Sequence, residues 1–173
     1  MPILRYAYVL ALAVWLGGMI VLGAIVAPAT FGVLPALDPE SGRALAGAAF
    51  GAAIARFHVV AYGAGGVLLV TLVAMALLGP RPRHFAIRTG LVALMLAVAI
   101  YSGQFVLAEI DVLQHEIAAA HAGLALPSQL PAGDARRIRF DSLHQLSTRL
   151  MLVNVAGGLL LLLWEAGKTE DRR

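Results

Sequence analysis

Five histidines and ten carboxylates carry the candidate chemistry of an otherwise apolar chain that has no cysteine. Without cysteine there are no disulfides, thiolate metal sites or thiol nucleophiles, and the redox compartment goes unread. Three residues stand out once each is counted along its own helix. His58 lies 22 residues before Pro80, Glu109 lies 21 after Arg88, and His144 lies 21 before Glu165. At about 1.5 Å per residue, all three sit roughly 32–33 Å from one common end. Neutral imidazoles ligate iron, copper or zinc, and a carboxylate ligates beside them or orients them. The expectation is a metal site formed by His58, Glu109 and His144. A b-type haem held between His58 and His144 is the cofactor alternative. Two other readings use the same residues. At that height headgroups hydrate His and Glu without any site, and polar groups inside a bundle also build proton or anion paths. No tight motif such as H-E-x-x-H supports the metal reading further.

Polar stripes surround the trio. On the third helix Tyr101, Gln104, Ala108, Asp111 and His115 recur at helical spacing, which predicts one shared face. The fourth helix offers Phe140, His144, Ser147, Met151, Asn154 and Gly158, and the second offers His58, Tyr62 and Gly65. Asn154, near mid-depth, is expected to hydrogen-bond across helices. Arg149 lies about 140° around the helix from His144 and is expected to snorkel or pair locally. His115 and His121 do not share a face, and His84 falls in a basic loop, so hydration explains all three.

The elements that must position these residues follow from composition. Of 173 residues, 60% are hydrophobic and 13% charged, with a mean hydropathy of +0.84. A soluble domain carries about 25% charged residues, so this surface faces lipid. Charge-free runs predict one all-α domain, an integral membrane four-helix bundle with spans at about 6–29, 57–79, 87–109 and 142–165. Ala27-Pro28-Ala29 faintly resembles a cleavage site, but the run from Tyr6 is too long for a signal peptide and reads as a retained span. Asp38-Pro39 predicts a helix start that runs on through Gly47 and Gly51. Pro82 to Gly123 predicts a third helix of about 60 Å. Helices two and three are therefore expected to rise beyond the bilayer on the outer side. Pro127 and Pro131 mark a loop, and Asp134 caps the last helix. Trp15 is too deep for an interfacial belt and is expected to pack inside, whereas Trp164 suits the belt. Ala13/Gly17 and Gly23/Ala27 are small-residue pairs suited to close helix contact. The compact loop of Arg81, Arg83 and Arg88 places it and both termini in the cytoplasm. No basic cluster has the interleaved aromatics that bind nucleic acid.

Trp15-Leu16-Gly17-Gly18, then Pro28 and Phe31, resemble the opening of the transmembrane protein 205-like family (domain of unknown function 4149). Phe140, Leu143, His144 and Ser147 resemble its F-x-x-L-H-x-x-S signature. That group is similar to the CopD-like membrane proteins, which include copper-resistance protein D and the HemJ-type protoporphyrinogen oxidase. The resemblance implies a four-helix bundle and copper or haem handling. The chain departs from it in two ways. Five Met and no Cys leave few soft ligands for Cu(I), and Lys168, in the tail, is the only lysine available to a HemJ-like site.

The sequence thus points to a small, non-enzymatic protein of a bacterial inner membrane. It is expected to bind haem or a metal at the outer face through His58, Glu109 and His144, with Tyr62, Tyr101, Gln104, Asp111, His115, Ser147 and Asn154 around them. The alternatives are an accessory subunit, partnered by other membrane subunits or its own copies, and a small-solute or proton transporter.

Overall fold

The computed structural model describes residues 2–79, 84–120 and 126–166. Four helices account for nearly all of them: α1 (Pro2–Leu37), α2 (Gly42–Leu78), α3 (Phe85–Ala120) and α4 (Ala135–Ala166). Each is apolar and long enough to cross a membrane, and the chain is an integral membrane protein. One short 3-10 turn, Pro127–Gln129, precedes α4, and the described residues hold no strand. The helices alternate in direction, so both ends of the described chain lie at one end of the bundle. That end is called terminal here and the opposite end distal. Arg81, Arg83, His121, Lys168 and the expected outer limits of α3 fall outside the described residues.

The terminal half is a close-packed bundle. Tyr8, Leu12, Trp15 and Met19 of α1 meet Ala61, Ala64, Leu68 and Leu72 of α2, Val92, Met95 and Ala99 of α3, and Leu161 of α4. Each set recurs at three- and four-residue steps, the spacing that puts side chains on one helix face. Glycines let the helices approach. A Cβ on Gly65 would stand 2.8 Å from Leu96 and 3.0 Å from Trp15. Trp15 is buried, as its depth demands. Gly18, not the Ala13/Gly17 pair, receives a neighbour, the Phe57 ring. Ala13 is exposed and Gly17 meets nothing, because the inward face of α1 runs through Trp15, Gly18 and Met19.

In the distal half the bundle forks. The distal part of α1 packs on α2, and the distal part of α3 packs on α4, while α2 and α3 part company. Both α1 and α3 contain a π turn at the fork, at Leu22–Val26 and Ser102–Val106. The first follows from Pro28, which has no N–H to offer the carbonyl of Ala24. The chain instead closes the wider loop from the Ala27 N–H to the Leu22 carbonyl. The second holds Gly103 against α2 side chains, where a Cβ would collide with the Tyr62 hydroxyl and the His58 ring.

Two helix starts show local chemistry. α1 runs through Pro28 to Leu37, well past the expected end of the first span. α2 then begins at Gly42 rather than at Pro39. The Asp38 carboxylate first accepts the N–H groups of Glu40 and Ser41, each at 3.0 Å, and the Ser41 hydroxyl, closing a turn before the helix. Those bonds, the Ser41 hydroxyl foremost, hold Asp38 below its usual carboxyl range. Asp134 caps α4 as its residue type requires, accepting the Arg136 N–H at 2.8 Å.

Candidate functional site

The fork opens a groove of about 720 Å³ between the distal halves of α2 and α3. That is within the roughly 300–1,000 Å³ of small-molecule sites. Its α2 wall is made mostly of small residues, Ala44, Gly47, Ala48, Gly51, Ala52 and Ala55, with Leu45 and Val59 beside them. Cβ atoms built on Gly47 and Gly51 would meet nothing within 4 Å, so no part of the described chain covers this wall. The α3 wall is polar, with Gln104, Asp111, Gln114 and His115. At the floor, Gln104 Nε2 donates to the Tyr62 hydroxyl at 3.4 Å, which in turn donates to the Ala99 carbonyl at 3.5 Å. His58 sits beside them, its ring edge-on to Tyr62 at 5.9 Å. Its Nδ1 lies 3.0 Å from the Ile54 carbonyl, and donation there leaves Nε2 as the lone-pair nitrogen. At the rim, His115 Nδ1 lies 2.8 Å from the Asp111 carbonyl and 3.6 Å from its carboxylate.

The groove thus gathers His58, Tyr62, Gln104, Asp111 and His115 on one surface. It does not gather the rest of the expected set. Glu109 is engaged by Arg139 of α4, whose Nε donates to it at 2.6 Å and whose Nη2 donates as well. His144 is exposed on α4 and stacks on Phe140, with 7° between the rings. Ser147 lies outside the groove lining. Among the described residues no three His, Asp or Glu side chains are placed to hold a metal ion. The metal trio of His58, Glu109 and His144 therefore does not assemble. Equal height on three helices put the residues level, but rotation about each axis turned them to different neighbours. Tyr101 is a second correction. The π turn inserts an extra residue after it, so Tyr101 rotates off the Gln104–Asp111–His115 face and stacks on Phe105 at the exposed surface. Asn154 is buried, yet its Oδ1 has no hydrogen-bond partner, contrary to the expected interhelical bond. Arg149 is exposed, as its position on the helix requires.

The groove suits a haem poorly. His58 supplies a usable Nε2, but His144 lies off the lining, and the described lining holds no Arg or Lys to meet propionates. Its one carboxylate, Asp111, would repel them.

A second polar centre went unread in the sequence. At the terminal end Arg88 of α3 and Glu165 of α4 form a buried ion pair, with side chains 1% and 8% exposed. Arg5 of α1 donates from Nε to the same carboxylate at 2.9 Å. The Arg88 guanidinium lies 4.9 Å from the centre of the Tyr8 ring, a cation–π distance. The signal was present. Val92, Met95 and Ala99 continue back to Arg88 at helical spacing, and Asn154, Gly158 and Leu161 continue on to Glu165. This cluster joins three helices, and charges held inside a membrane bundle commonly mark a specific role.

Neither a curated protein nor a solved structure matches the chain. One family does, over residues 10–119, which hold most of α1 and all of α2 and the groove walls. The match stops short of α4, so Phe140, Leu143, His144 and Ser147 lie beyond it. The protein belongs to the family described as a domain of unknown function, DUF4149.

Proposed function

We propose that the protein is a small, non-catalytic binding module of a bacterial inner membrane, with both termini cytoplasmic and its ligand held in the distal groove. Kinship with the transmembrane protein 205-like and CopD-like proteins belongs to the same reading. One observation carries it. Six polar side chains, two from α2 and four from α3, open on a single space whose α2 wall is otherwise mostly Ala and Gly. Sites of this kind pair an apolar lining with a few convergent polar groups. Among the described lining residues there is no nucleophile–base pair, and the reading is binding without chemistry.

The test is native mass spectrometry of the protein released from mild detergent. An adduct that Ala48→Trp removes supports the reading. A bare chain mass, together with no capture by a photo-crosslinker at Ala52, overturns it. Supplying haem and copper during purification settles the ligand classes raised by the sequence. A Soret band or bound copper lost in His58→Ala would identify that ligand.

A second reading, an accessory subunit, draws on Gly47-x-x-x-Gly51. Small residues at this spacing let a second helix approach closely, and nothing in the described chain does so. Crosslinking from Gly51 to a defined partner protein would favour it over a small ligand.

A further inference from the structure

On α2 Gly47, Gly51 and Ala55 follow one another at four-residue steps, with Ala44, Ala48 and Ala52 alongside. Cβ atoms built on the two glycines meet nothing within 4 Å. Small residues at this spacing let two helices approach closely, and in lipid such packing replaces the hydrophobic drive. Charge beside this face names what covers it. Arg56 stands exposed on α2 and makes no hydrogen bond or ion pair. Asp111, across the groove on α3, is 70% exposed and has only the His115 ring near it, at 3.6 Å. Rotation keeps these two charges apart within one chain. At about 100° per residue, Arg56 lies about 160° round α2 from His58 and about 120° from Tyr62, the two residues that meet Gly103 of α3. Ala55, Ala48 and Ala52 lie between, so Arg56 occupies the flank of the small face away from its own α3. Height, by contrast, matches. Gly103 is level with the turn between His58 and Tyr62. Counted distally from there at about 1.5 Å per residue, Arg56 stands about 6 Å up and Asp111 about 12 Å up. Side chains lean toward the N-terminus of their own helix. That direction is distal for α2 and terminal for α3, so the two charges lean toward one level.

We infer that the small face of α2 packs on the same face of a second copy, in a parallel pair that joins each Arg56 to the partner's Asp111. Two copies inserted in one membrane with the same topology are related by a two-fold axis along the membrane normal, which makes the contact self-complementary. Such an axis keeps the height of every residue and exchanges flanks. With α2 packed on α2, each Arg56 moves from the flank away from its own α3 to the side of the partner's α3, at the level of the partner's Asp111. The ion pair forms twice. Leu45 and Val59, 52% and 69% exposed on the Arg56 side of the face, come under cover in the same contact. Helix packing supplies the affinity, and the charge pairs fix register and direction. The paired helices close the open side of both grooves above the His58, Tyr62 and Gln104 floor. This pairing rests on the second reading above, in which a partner protein packs on Gly47-x-x-x-Gly51, and names that partner.

The chain has no native cysteine, so Ala48→Cys reports the pair by an oxidative disulfide between copies in vesicles over a range of protein-to-lipid ratios. It should crosslink at dilutions where Leu152→Cys, exposed on α4, does not. Added to Ala48→Cys, Gly51→Leu should abolish the crosslink, because its Cβ meets nothing within one chain and the leucine blocks only a second helix. Arg56→Asp and Asp111→Arg should each weaken pairing by roughly tenfold, since an exposed charge pair supplies roughly two- to fivefold and the axis counts it twice. Mixing these two single variants should restore the crosslink. The introduced acid then faces the introduced base at one contact, and the native pair survives at the other. Equal crosslinking of Ala48→Cys and Leu152→Cys overturns the pairing. A mixture no better than either single variant overturns the contact between Arg56 and the partner's Asp111. In cell membranes, a photo-crosslinker at Gly51 that captures another defined protein and no second copy overturns the pairing and leaves the accessory-subunit reading standing. Capture of neither overturns both.

Discussion

Arg88 and Glu165 face each other from α3 and α4 near the terminal end of the bundle, both almost wholly buried, with Arg5 of α1 on the same carboxylate. The three helices are far apart in sequence, so this pair fixes their relative height and rotation. Removing one partner of a buried pair strands the other charge, which costs about 3–5 kcal/mol. Replacing both by apolar residues of similar volume is often close to neutral. Glu165→Leu, which strands the buried Arg88, should lower unfolding stability in detergent by that order, Arg88→Met by less because Arg5 still holds the carboxylate, and the double variant should recover most of the larger loss. A double variant whose loss equals the sum of the two single losses would show that the ion pair contributes nothing as a pair.

Gly103 and Tyr62 set the fork. A Cβ at position 103 would meet the Tyr62 hydroxyl and the His58 ring. Overpacking of this kind costs about 1–3 kcal/mol. Gly103→Ala should destabilise the protein within that range and force α2 and α3 apart. Adding Tyr62→Phe removes the colliding oxygen and should return part of the stability. Thermal unfolding of the two variants checks this, and a double variant no better than Gly103→Ala refutes it.

How far the sequence carried varies by residue, for physical reasons. The four helices, the buried Trp15 and the Asp134 cap follow from local rules: uninterrupted apolar runs, depth, and a side chain that accepts a first-turn N–H. Arg88 and Glu165 obeyed an equally plain rule, the helical stripe. Lying at span boundaries, they pass for end-of-span charges, because charge there ordinarily reports topology. The pairing of Glu109 with Arg139 is tertiary, across 30 residues, and no local pattern announces it. Tyr101 left its stripe because of a π turn that has no proline to signal it. The π turn at Leu22–Val26 does have such a signal, in Pro28.

That difference can be tested on Pro28. Alanine there restores an N–H for the Ala24 carbonyl, and the π turn should close to regular helix. Removing one residue from the turn rotates everything beyond it by about 100°. Phe31, which meets the Phe50 ring edge-on at 5.9 Å, would swing away from α2. The chain has no native cysteine, so Cys pairs placed at positions 31 and 50 report this without background. Pro28→Ala should abolish their disulfide crosslink while leaving a control pair in the terminal half intact. An unchanged crosslink would mean that packing, not proline, holds the π turn.

Asp134 gives a pH dependence with a definite sign. The Arg136 side chain, then the Arg136 backbone N–H, lower its carboxyl to about 2. An unfolded Asp titrates near 3.9. The folded value is the lower one, so the ionised cap stabilises the start of α4 above about pH 4. That contribution fades as the pH falls from about 4 to about 2, because the folded state must then take up the proton it resists. Hydrogen exchange at the Arg136, Arg137 and Ile138 amides reads this end of the helix directly. After correction for intrinsic rates, their protection should decline across that window in the unmodified protein. Asn at position 134 keeps a capping oxygen without a titrating group, so Asp134→Asn should show a flat profile there. A parallel decline in both proteins would assign the acid sensitivity to groups other than Asp134.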